Sequence, residues 1–316
     1  VKASTQKEYL ADLLPELAGL GTKTILVCDS HYFKTLTKQR KAEPHIGYVL
    51  PCAITGYEHF QVIYVPNYQS IFYAPENQAK LDLAIMTLSD HLEDSYVAPG
   101  EDIIHSAQYP TKLHDIEVAL NHLHTYPLLT CDIETFSLKF HKAGIGTIAF
   151  AWDEHNGIAF RVDSLADDPN KEVRRLLLEF FEQYQGTLIY HNANFDVKVL
   201  IYQLFMDHSL DEKGKQYGVE LMTRKFHDTK LITYLATNST TGNKLSLKEQ
   251  AHAFAGNYAE DNIKDITLIP EQDLLKYNLV DCLATWYVFN KHFCTMISDD
   301  QLDIYETIFK PSVKVI

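Results

Sequence analysis

The order of the predicted secondary-structure elements after residue 105 is the feature that most limits the possible folds. The predicted strands cover 128–132, 145–152, 158–162 and 187–190. The predicted helices cover 115–124 and 172–184, and two more begin near Phe195 and His227. Strands that are followed by alternating helices and strands are typical of an α/β domain. We therefore predict a mixed sheet flanked by helices in residues 106–299.

The length of the chain suggests two domains, because 316 residues exceed the usual domain size of about 100 to 200 residues. Proline, glycine and acidic residues are concentrated at 97–110, which predicts a linker, and we place a boundary after residue 105. Residues 1–105 combine helical patterns with short β-rich runs and are predicted to form a smaller α/β accessory domain. Within it, the basic stretch Lys34–Lys41 is predicted to be a loop.

The cysteine and hydropathy patterns indicate a cytoplasmic protein without a membrane partner. The five cysteines are odd in number and form no C-x-x-C pair, which argues against a disulfide framework or a zinc site. No run approaches 18 apolar residues, and the first residues lack the basic flank and apolar segment of a secretory signal.

The formal net charge of −14 restricts the nucleic-acid partners that the chain can bind. Duplex binding depends on Lys and Arg side chains that neutralise phosphates, so we do not expect an extended duplex interface. A site that gathers carboxylates around divalent cations and holds a few nucleotides of single strand is compatible with an acidic chain. The cations supply the positive charge locally.

Two acidic residues lie at the end of the predicted strand 128–132. Asp132 and Glu134 are separated by one residue, so on a strand their side chains point to the same face. Two like charges at this spacing repel each other unless a cation lies between them, and Mg²⁺ and Mn²⁺ prefer carboxylate ligands. The pair is a candidate metal site, although two solvated carboxylates at a strand end have the same sequence pattern.

Two further segments carry candidate site residues. The strand 187–190 is followed by polar residues and a helix, which places Asp196 where sites of α/β folds gather, but a helix cap has the same pattern. Tyr277 and Asp281 are one turn apart on a predicted helix, on the face opposite an apolar stripe. A phenol and a carboxylate at this spacing can contact one water and one metal together, yet such pairs are common in helices.

Together, the three segments resemble the motifs of a nuclease family. Over about Tyr109–Cys294 the sequence is similar to the proofreading 3′-to-5′ exonuclease domains of family A DNA polymerases. These domains belong to the DEDD group of ribonuclease-H-like nucleases, here in its tyrosine variant. The matching segments are D-I-E-T at 132–135, H-N-A-N-F-D at 191–196, Y-N-L-V-D at 277–281, and two supporting segments, H-D-T-K-L-I-T-Y-L at 227–235 and L-S-L-K at 245–248.

The resemblance implies roles for individual residues. Two divalent cations, Mg²⁺ or Mn²⁺, would be bound by four carboxylates, those of Asp132, Glu134, Asp196 and Asp281. Tyr277 would orient the attacking water. Thr135 and Leu138 would border the terminal nucleotide, and Asn192 would contact the substrate strand. Asp228 matches a supporting segment and is expected to be structural.

The resemblance also implies a substrate and a context. The substrate would be a single-stranded or frayed 3′ end of DNA, from which nucleoside monophosphates are released. Residues 304–316 resemble the lead-in of a polymerase domain, whose start we place at 300–316. We therefore expect a piece of a longer polymerase whose missing domain is its partner. Residues 1–105 resemble accessory regions of bacteriophage enzymes, which would place the protein in the host cytoplasm. Two alternatives stay open, a freestanding RNA-trimming exonuclease with the same motifs and an inactive nucleic-acid-binding module.

Overall fold

The chain divides into two units, each with its own sheet. The structure is a computed structural model and describes residues 3–75, 77–165, 168, 171–237, 244–258 and 265–314. The first unit contains the described residues of Val1–Glu101 and His252–Glu260, and the second contains those of Asp102–Ala251 and Asp261–Ile316. Within the described ranges, no helix is both long enough and apolar enough to cross a bilayer.

The elements are numbered in chain order. The strands are β1 (Thr24–Val27), β2 (Val49–Pro51), β3 (Gln61–Tyr64), β4 (Ser106–Gln108), β5 (Leu128–Glu134), β6 (Thr147–Ala151), β7 (Asn156–Arg161), β8 (Thr187–Tyr190) and β9 (Phe226–Asp228). The α-helices are α1 (Ala3–Gly19), α2 (Ser30–Thr37), α3 (Asn77–Leu92), α4 (Leu113–Leu123), α5 (Glu172–Gln183), α6 (Ala193–Leu200), α7 (Glu212–Met222), α8 (Thr229–Thr237), α9 (Leu247–Gln250), α10 (His252–Ala255), α11 (Glu271–Ser298), α12 (Leu302–Ile304) and α13 (Lys310–Ser312). Short 3₁₀-helices cover Glu43–His45, Tyr68–Phe72, Phe140–Lys142 and Ile266–Leu268, and π-helical turns cover Ile201–Phe205 and Tyr305–Phe309.

The first unit is built on a three-stranded sheet with the order β1-β3-β2. β1 is parallel to β3 and β2 is antiparallel to it, so the unit is an α/β structure, as predicted. Helix α2 begins after Asp29, whose carboxylate accepts hydrogen bonds from the backbone N–H groups of His31 and Tyr32. The predicted loop at Lys34–Lys41 is therefore wrong for Lys34–Thr37, because this cap starts a helix that continues through them.

Residues 252–258 of the long second half of the chain belong to the first unit. The Nε2 atom of His252 lies 2.8 Å from the carbonyl oxygen of Ile46. The hydroxyl of Tyr48 accepts a hydrogen bond from the backbone N–H of Asn257 and donates one to the carbonyl of Pro99. The predicted domain bounds at residues 105 and 299 do not assign residues 252–258 to the first unit. The division into three domains stays a prediction.

The second unit contains a six-stranded mixed sheet with the order β4-β7-β6-β5-β8-β9. β5, β6 and β7 pair antiparallel, whereas β8 and β9 extend the sheet in parallel from β5, and β4 is parallel to β7. Helices pack on the sheet, which confirms the predicted ribonuclease-H-like fold class. β4 lies inside the stretch 97–110 that was predicted to be a linker, and β9 was not predicted.

The main core of the second unit explains why these strands and helices form. The residues of β6 are buried throughout, as expected for an apolar strand in the interior of a sheet. Helix α5 buries one face of regularly spaced apolar side chains, those of Val173, Leu176, Leu177, Phe180 and Phe181. They belong to one core with the inward side chains of β5, among them Leu129, Cys131 and Ile133.

Residues that follow α11 also pack into the second unit. The side chain of Tyr305 is completely buried, and its hydroxyl accepts a hydrogen bond from the backbone N–H of Asp228 at 3.1 Å. The same hydroxyl lies 3.2 Å from Nδ1 of His227. Val313 is 5% exposed and belongs to the main core. The Tyr305 hydroxyl therefore satisfies a buried backbone donor on the edge strand β9.

We predict that Tyr305→Phe lowers the free energy of unfolding of the second unit by about 1 to 3 kcal/mol, because the buried N–H of Asp228 loses its acceptor. Urea unfolding followed by tryptophan fluorescence measures the change. Tyr234→Phe is the matched control, since Tyr234 is 46% exposed. Equal midpoints for the two variants would show that the buried hydrogen bond contributes no stability.

Candidate active site

β5 presents two carboxylates near the centre of the sheet. Cys131 and Ile133 point into the main core and are 2% and 5% exposed. Asp132 and Glu134 alternate with them and therefore project from the opposite face of the strand. In the antiparallel pairing with β6, Glu134 lies opposite Thr147. Both carboxylates thus lie on the face against which α11 packs.

Helix α11 is held in a fixed register across this face. The hydroxyl of Thr130 on β5 donates a hydrogen bond to the carbonyl of Cys282 at 3.0 Å. Gly157 on β7 allows the helix to approach closely, because a Cβ atom there would lie 2.6 Å from Cδ1 of Leu279. With its backbone fixed in this way, α11 carries Asp281 to the carboxylates of β5.

Asn278 connects α11 directly to one of these carboxylates. Its side chain is fully buried, and its Nδ2 donates a hydrogen bond to Oδ2 of Asp132 at 2.7 Å. Its Oδ1 accepts a hydrogen bond from the hydroxyl of Thr147 at 2.9 Å, so both ends of the amide are engaged. Asn278 had no predicted role. The available signal was a polar residue on the apolar stripe of Leu275 and Leu279, since buried polar groups are normally hydrogen-bonded.

Three carboxylates meet at this face of the sheet. One oxygen from each of Asp132, Glu134 and Asp281 lies within 4.8 Å of the others. Asp281 is only 7% exposed, which distinguishes the group from a solvated acidic surface. The structure thus brings together three of the four carboxylates to which the resemblance assigns cation binding, and we call these three the carboxylate cluster.

Asp196 approaches the carboxylate cluster from the first turn of α6. It is 4% exposed, and burial is the largest cause that raises its pKa, while the backbone of Ile133 and of Asp196 itself opposes the rise. Asp196 is not within the 4.8 Å group. Among the neighbouring charges, however, that of Asp196 has the largest effect on the pKa of Asp132. The fourth predicted ligand therefore lies beside the cluster and interacts with it electrostatically.

The start of α6 is fixed by Asp228 on the neighbouring strand β9. Asn192 has left-handed backbone angles, φ 67° and ψ 52°, which turn the chain from β8 into the helix. The two carboxylate oxygens of Asp228 accept hydrogen bonds from the backbone N–H groups of Asn192 and Ala193, at 3.0 and 2.9 Å. Asp228 thus holds the helix that carries Asp196.

Burial and mutual repulsion make the site costly to ionise. Burial is the largest cause that raises the pKa of Asp132, Glu134 and Asp196, and the charges of neighbouring carboxylates raise it further. The pKa of Glu134 rises to about 8, through burial and then through the charge of Asp281, while the charge of Lys248 opposes the rise. A divalent cation relieves such repulsion, and a set of carboxylate oxygens fits Mg²⁺ or Mn²⁺.

Tyr277 stands one turn before Asp281 and is half-buried. Burial, followed by the charges of Asp281 and Glu134, raises the pKa of its phenol, so the hydroxyl is protonated at neutral pH. The phenol oxygen accepts a hydrogen bond from Nζ of Lys248 on α9. Lys248 belongs to the supporting segment 245–248 and was not predicted to be a site residue.

The predicted substrate contacts lie in two places. Leu138 is 86% exposed, and the hydroxyl of Thr135 donates to the carbonyl of Ser137 at 3.1 Å, both in the segment that follows β5. The side-chain oxygen of Asn192 accepts a hydrogen bond from Nζ of Lys230 at 3.2 Å. Asn192 also lines an open pocket, whose walls are formed by Phe140, Asn192, Asn194, Phe195 and Lys198. The contacts of Thr135, Leu138 and Asn192 with a substrate stay predictions.

Comparison with solved structures finds similar chains at low identity. Brucella melitensis NrnC with bound Mg²⁺ is 14% identical, with 66% of this chain and 90% of NrnC covered and a TM-score of 0.44. Escherichia coli RNase D, an exoribonuclease involved in structured RNA processing, is 12% identical, with coverages of 66% and 51% and a TM-score of 0.45. The POL domain of Pol1 from M. smegmatis, in complex with DNA primer-template and dNTP, is 13% identical, with coverages of 66% and 30% and a TM-score of 0.43. No curated protein matches the sequence.

The family model RNase_H_2, of the RNase_H superfamily, matches residues 129–292. This range is just over half of the 316 residues, and it contains the three carboxylates of the cluster, Asp196 and Tyr277. The six-stranded mixed sheet flanked by helices is the fold that this family predicts. The chain therefore belongs to the RNase H superfamily.

Proposed function

We propose that the chain is a metal-dependent 3′-to-5′ exonuclease that removes nucleoside monophosphates from DNA 3′ ends, as the proofreading part of a family A DNA polymerase. The observation that supports this most strongly is the cluster of the half-buried Asp132 and Glu134 with the buried Asp281, and with the buried Asp196 beside it. Buried like charges destabilise a fold unless they serve a ligand, so the cluster favours catalysis over a structural role. A polymerase domain as partner and a cytoplasmic location, in the host if the protein is viral, belong to the same proposal.

The donor set of the cluster fits divalent cations. All of its donors are carboxylate oxygens, and they already lie close enough for shared coordination. Asp132, Glu134 and Asp281 would hold the cations, and Asp196 would complete the set from α6. When bound, two divalent cations supply positive charge that favours the attacking water and the leaving 3′ oxygen.

The remaining groups of the site position the reactants. Asn278 fixes the orientation of the Asp132 carboxylate through its 2.7 Å hydrogen bond. Tyr277 keeps its proton at neutral pH and donates it in a hydrogen bond that orients the attacking water. Thr135 and Leu138 lie in the segment after β5, where they would border the terminal nucleotide.

The open pocket beside Asn192 supports a single-stranded substrate. Lys198 lies over one face of the Phe140 ring and contributes a positive charge for a phosphate, and Phe195 adds a second aromatic side chain, of the kind on which bases stack. The ammonium of Lys198 lies 5.4 Å from the ring centroid of Phe140, so both features face one space. A chain with a net charge of −14 has little capacity to separate a duplex and depends on ends that fray.

The direct test is digestion of 5′-labelled oligonucleotides in Mg²⁺, Mn²⁺ or EDTA. We expect stepwise shortening of single-stranded DNA and of mismatched 3′ ends, slower shortening of matched blunt ends at the same ionic strength, and none in EDTA. Faster shortening of RNA than of DNA would support the RNA-trimming alternative instead. Binding of DNA without any shortening would support the inactive binding module.

We predict that replacing Asp132 and Glu134 together by alanine lowers nuclease activity by at least about 1000-fold, because cation binding supplies several kcal/mol to the transition state. The fold should persist, with equal or slightly higher stability, since repulsion within the cluster is relieved. Initial rates on single-stranded DNA and thermal unfolding measure the two effects.

The matched control for this variant removes the same two charges from a surface. Asp115 and Glu117 have the same spacing, are exposed, and lie on α4. The variant with alanine at both positions should cut DNA at the parent rate. Loss of activity in both double variants, or in neither, would contradict the assignment of the site.

We predict that the metal-free protein loses stability between pH 7 and pH 8. The pKa of Glu134 is about 8 in the folded protein against an ordinary value of 4.5, so in this window the folded chain keeps a proton that the unfolded chain has released. The resulting stabilisation is complete below pH 4.5 and is lost as the pH rises through 8. Urea unfolding in EDTA should show a loss on the order of 1 kcal/mol per pH unit.

Two comparisons isolate the contribution of Glu134. Glu134→Gln cannot titrate, so its stability should depend less on pH in the same window. Excess Mg²⁺ should raise the stability of the parent more at pH 8 than at pH 7, since the cation binds ionised carboxylates. Identical pH slopes for the parent and Glu134→Gln would refute the shifted pKa of this residue.

A further inference from the structure

Lys248 is a cationic side chain at the edge of the carboxylate cluster. It lies on the short helix α9, and its Nζ donates a hydrogen bond to the phenol oxygen of Tyr277. Its charge also acts on Glu134, where it opposes the effects of burial and of Asp281. Lys248 thus interacts with the group that is proposed to orient the attacking water and with a carboxylate of the cluster.

The segment that carries Lys248 is fixed at both ends by residues close to the site. Before α9, the carbonyl oxygen of Leu245 lies 3.0 Å from Nε2 of His191, which directly precedes Asn192 at the start of α6. At the end of α9, the side-chain oxygen of Gln250 lies 2.8 Å from Nε2 of His292 on α11. The segment that carries Lys248 is therefore connected to the start of α6 and to α11, the two helices that carry Asp196 and Asp281.

The polarity of the hydrogen bond between Lys248 and Tyr277 determines what the phenol can do. An ammonium group has three donors and no acceptor, so the phenol oxygen must accept this bond. The proton of the phenol then points to a different partner. Because the negative charges of Asp281 and Glu134 also act on Tyr277, the side of the hydroxyl that faces the cluster is electrostatically preferred for this proton.

We propose that Lys248 is a positioning residue for the hydrolysis, whose ammonium group holds the Tyr277 hydroxyl as a hydrogen-bond donor towards the attacking water. The inference rests on the proposed nuclease function and adds to it a residue outside the predicted motif positions. Without Lys248 the phenol would still occupy its place on α11, but it could accept a hydrogen bond from the water as readily as donate one. The water would then be oriented in only part of the population.

The test is a double-mutant cycle on single-stranded DNA with Lys248→Met, Tyr277→Phe and the variant with both changes. Tyr277→Phe should lower kcat by about 10- to 1000-fold, because one preorganised contact to the reacting water is lost. Lys248→Met should lower kcat by about 10- to 100-fold, as expected for a residue that orients a catalytic group. The double variant should be no slower than Tyr277→Phe, since Lys248 acts through the phenol.

Lys248→Arg and Lys244→Met are the companion variants. The guanidinium group of Arg is also a hydrogen-bond donor without an acceptor, so Lys248→Arg should keep most of the activity that Lys248→Met loses. Lys244 lies in the same segment with its Nζ 3.6 Å from Glu249, and its replacement removes the same charge without touching Tyr277. Lys244→Met should keep kcat within about twofold of the parent.

Two further readouts separate positioning from folding and from substrate binding. Thermal unfolding in EDTA at a pH well below 8, where Glu134 keeps its proton, should give Lys248→Met a midpoint within about 4 °C of the parent. The affinity for a single-stranded oligonucleotide in EDTA, measured by fluorescence anisotropy, should also be unchanged within about twofold. A loss of affinity or a raised KM with an unchanged kcat would show that Lys248 binds substrate phosphate, which overturns the proposal.

Other outcomes also decide the question. A double variant that is slower by the product of the two single effects would show that Lys248 acts independently of Tyr277. Parent activity in Lys248→Met, with a deficient Tyr277→Phe, would overturn the role of Lys248 and leave the nuclease function intact. A parent protein that degrades no DNA would remove the proposed function, and the inference would fail with it.

Discussion

Electrostatic repulsion among carboxylates that are partly or fully buried is the constraint on which the rest of the second unit depends. Asp196 and Asp281 are 4% and 7% exposed, so water screens their charges poorly. A flexible surface would let such groups move apart, and the cluster would be lost. The carboxylates stay close because each is attached to an element that cannot shift without disrupting the core or the sheet.

Each of these elements is fixed by contacts that lie close to the carboxylate it carries. The central strand β5 pairs on both sides, with β6 and β8, which leaves it no freedom to move. Helix α11 is tied to the same strand through Thr130, and Asn278 holds the Asp132 carboxylate. The start of helix α6 is fixed because the Asp228 carboxylate accepts hydrogen bonds from the backbone N–H groups of Asn192 and Ala193. The cost of bringing the charges together is therefore offset mainly by packing and hydrogen bonding in the scaffold.

The sequence was informative where one element alone carries the signal. The alternation around Asp132 and Glu134, and the spacing of Tyr277 and Asp281, depend only on the periods of a strand and a helix. The strand was therefore predicted to within two residues of its end, and a helix was predicted through Tyr277 and Asp281, without bounds. The strand β9 has three residues, too few for a period to be recognised. The helical part of 34–41 was missed because its cap, Asp29, precedes the basic stretch from which a loop was inferred.

The roles of Asn278 and Lys248 could not be predicted in the same way, because they arise from contacts between distant parts of the chain. Asn278 acts on Asp132, 146 residues earlier, and Lys248 acts on Tyr277, 29 residues later. No local pattern encodes either pairing. The sequence does show that Asn278 is a polar residue on an apolar stripe. This pattern indicates that Asn278 has a buried hydrogen-bond partner but does not identify the partner.

The Asp228 side chain shows how stability and site geometry are joined in this fold. Its carboxylate holds the start of α6, while its backbone N–H donates to the buried hydroxyl of Tyr305. One residue of β9 thus connects the segment after α11 to the helix that carries Asp196. A change at Tyr305 acts first on the edge strand and only through Asp228 on Asp196. Tyr305 contacts the backbone of Asp228, whereas the carboxylate of Asp228 contacts the start of α6. A change at Tyr305 should therefore alter the free energy of unfolding more strongly than the geometry of the carboxylate cluster.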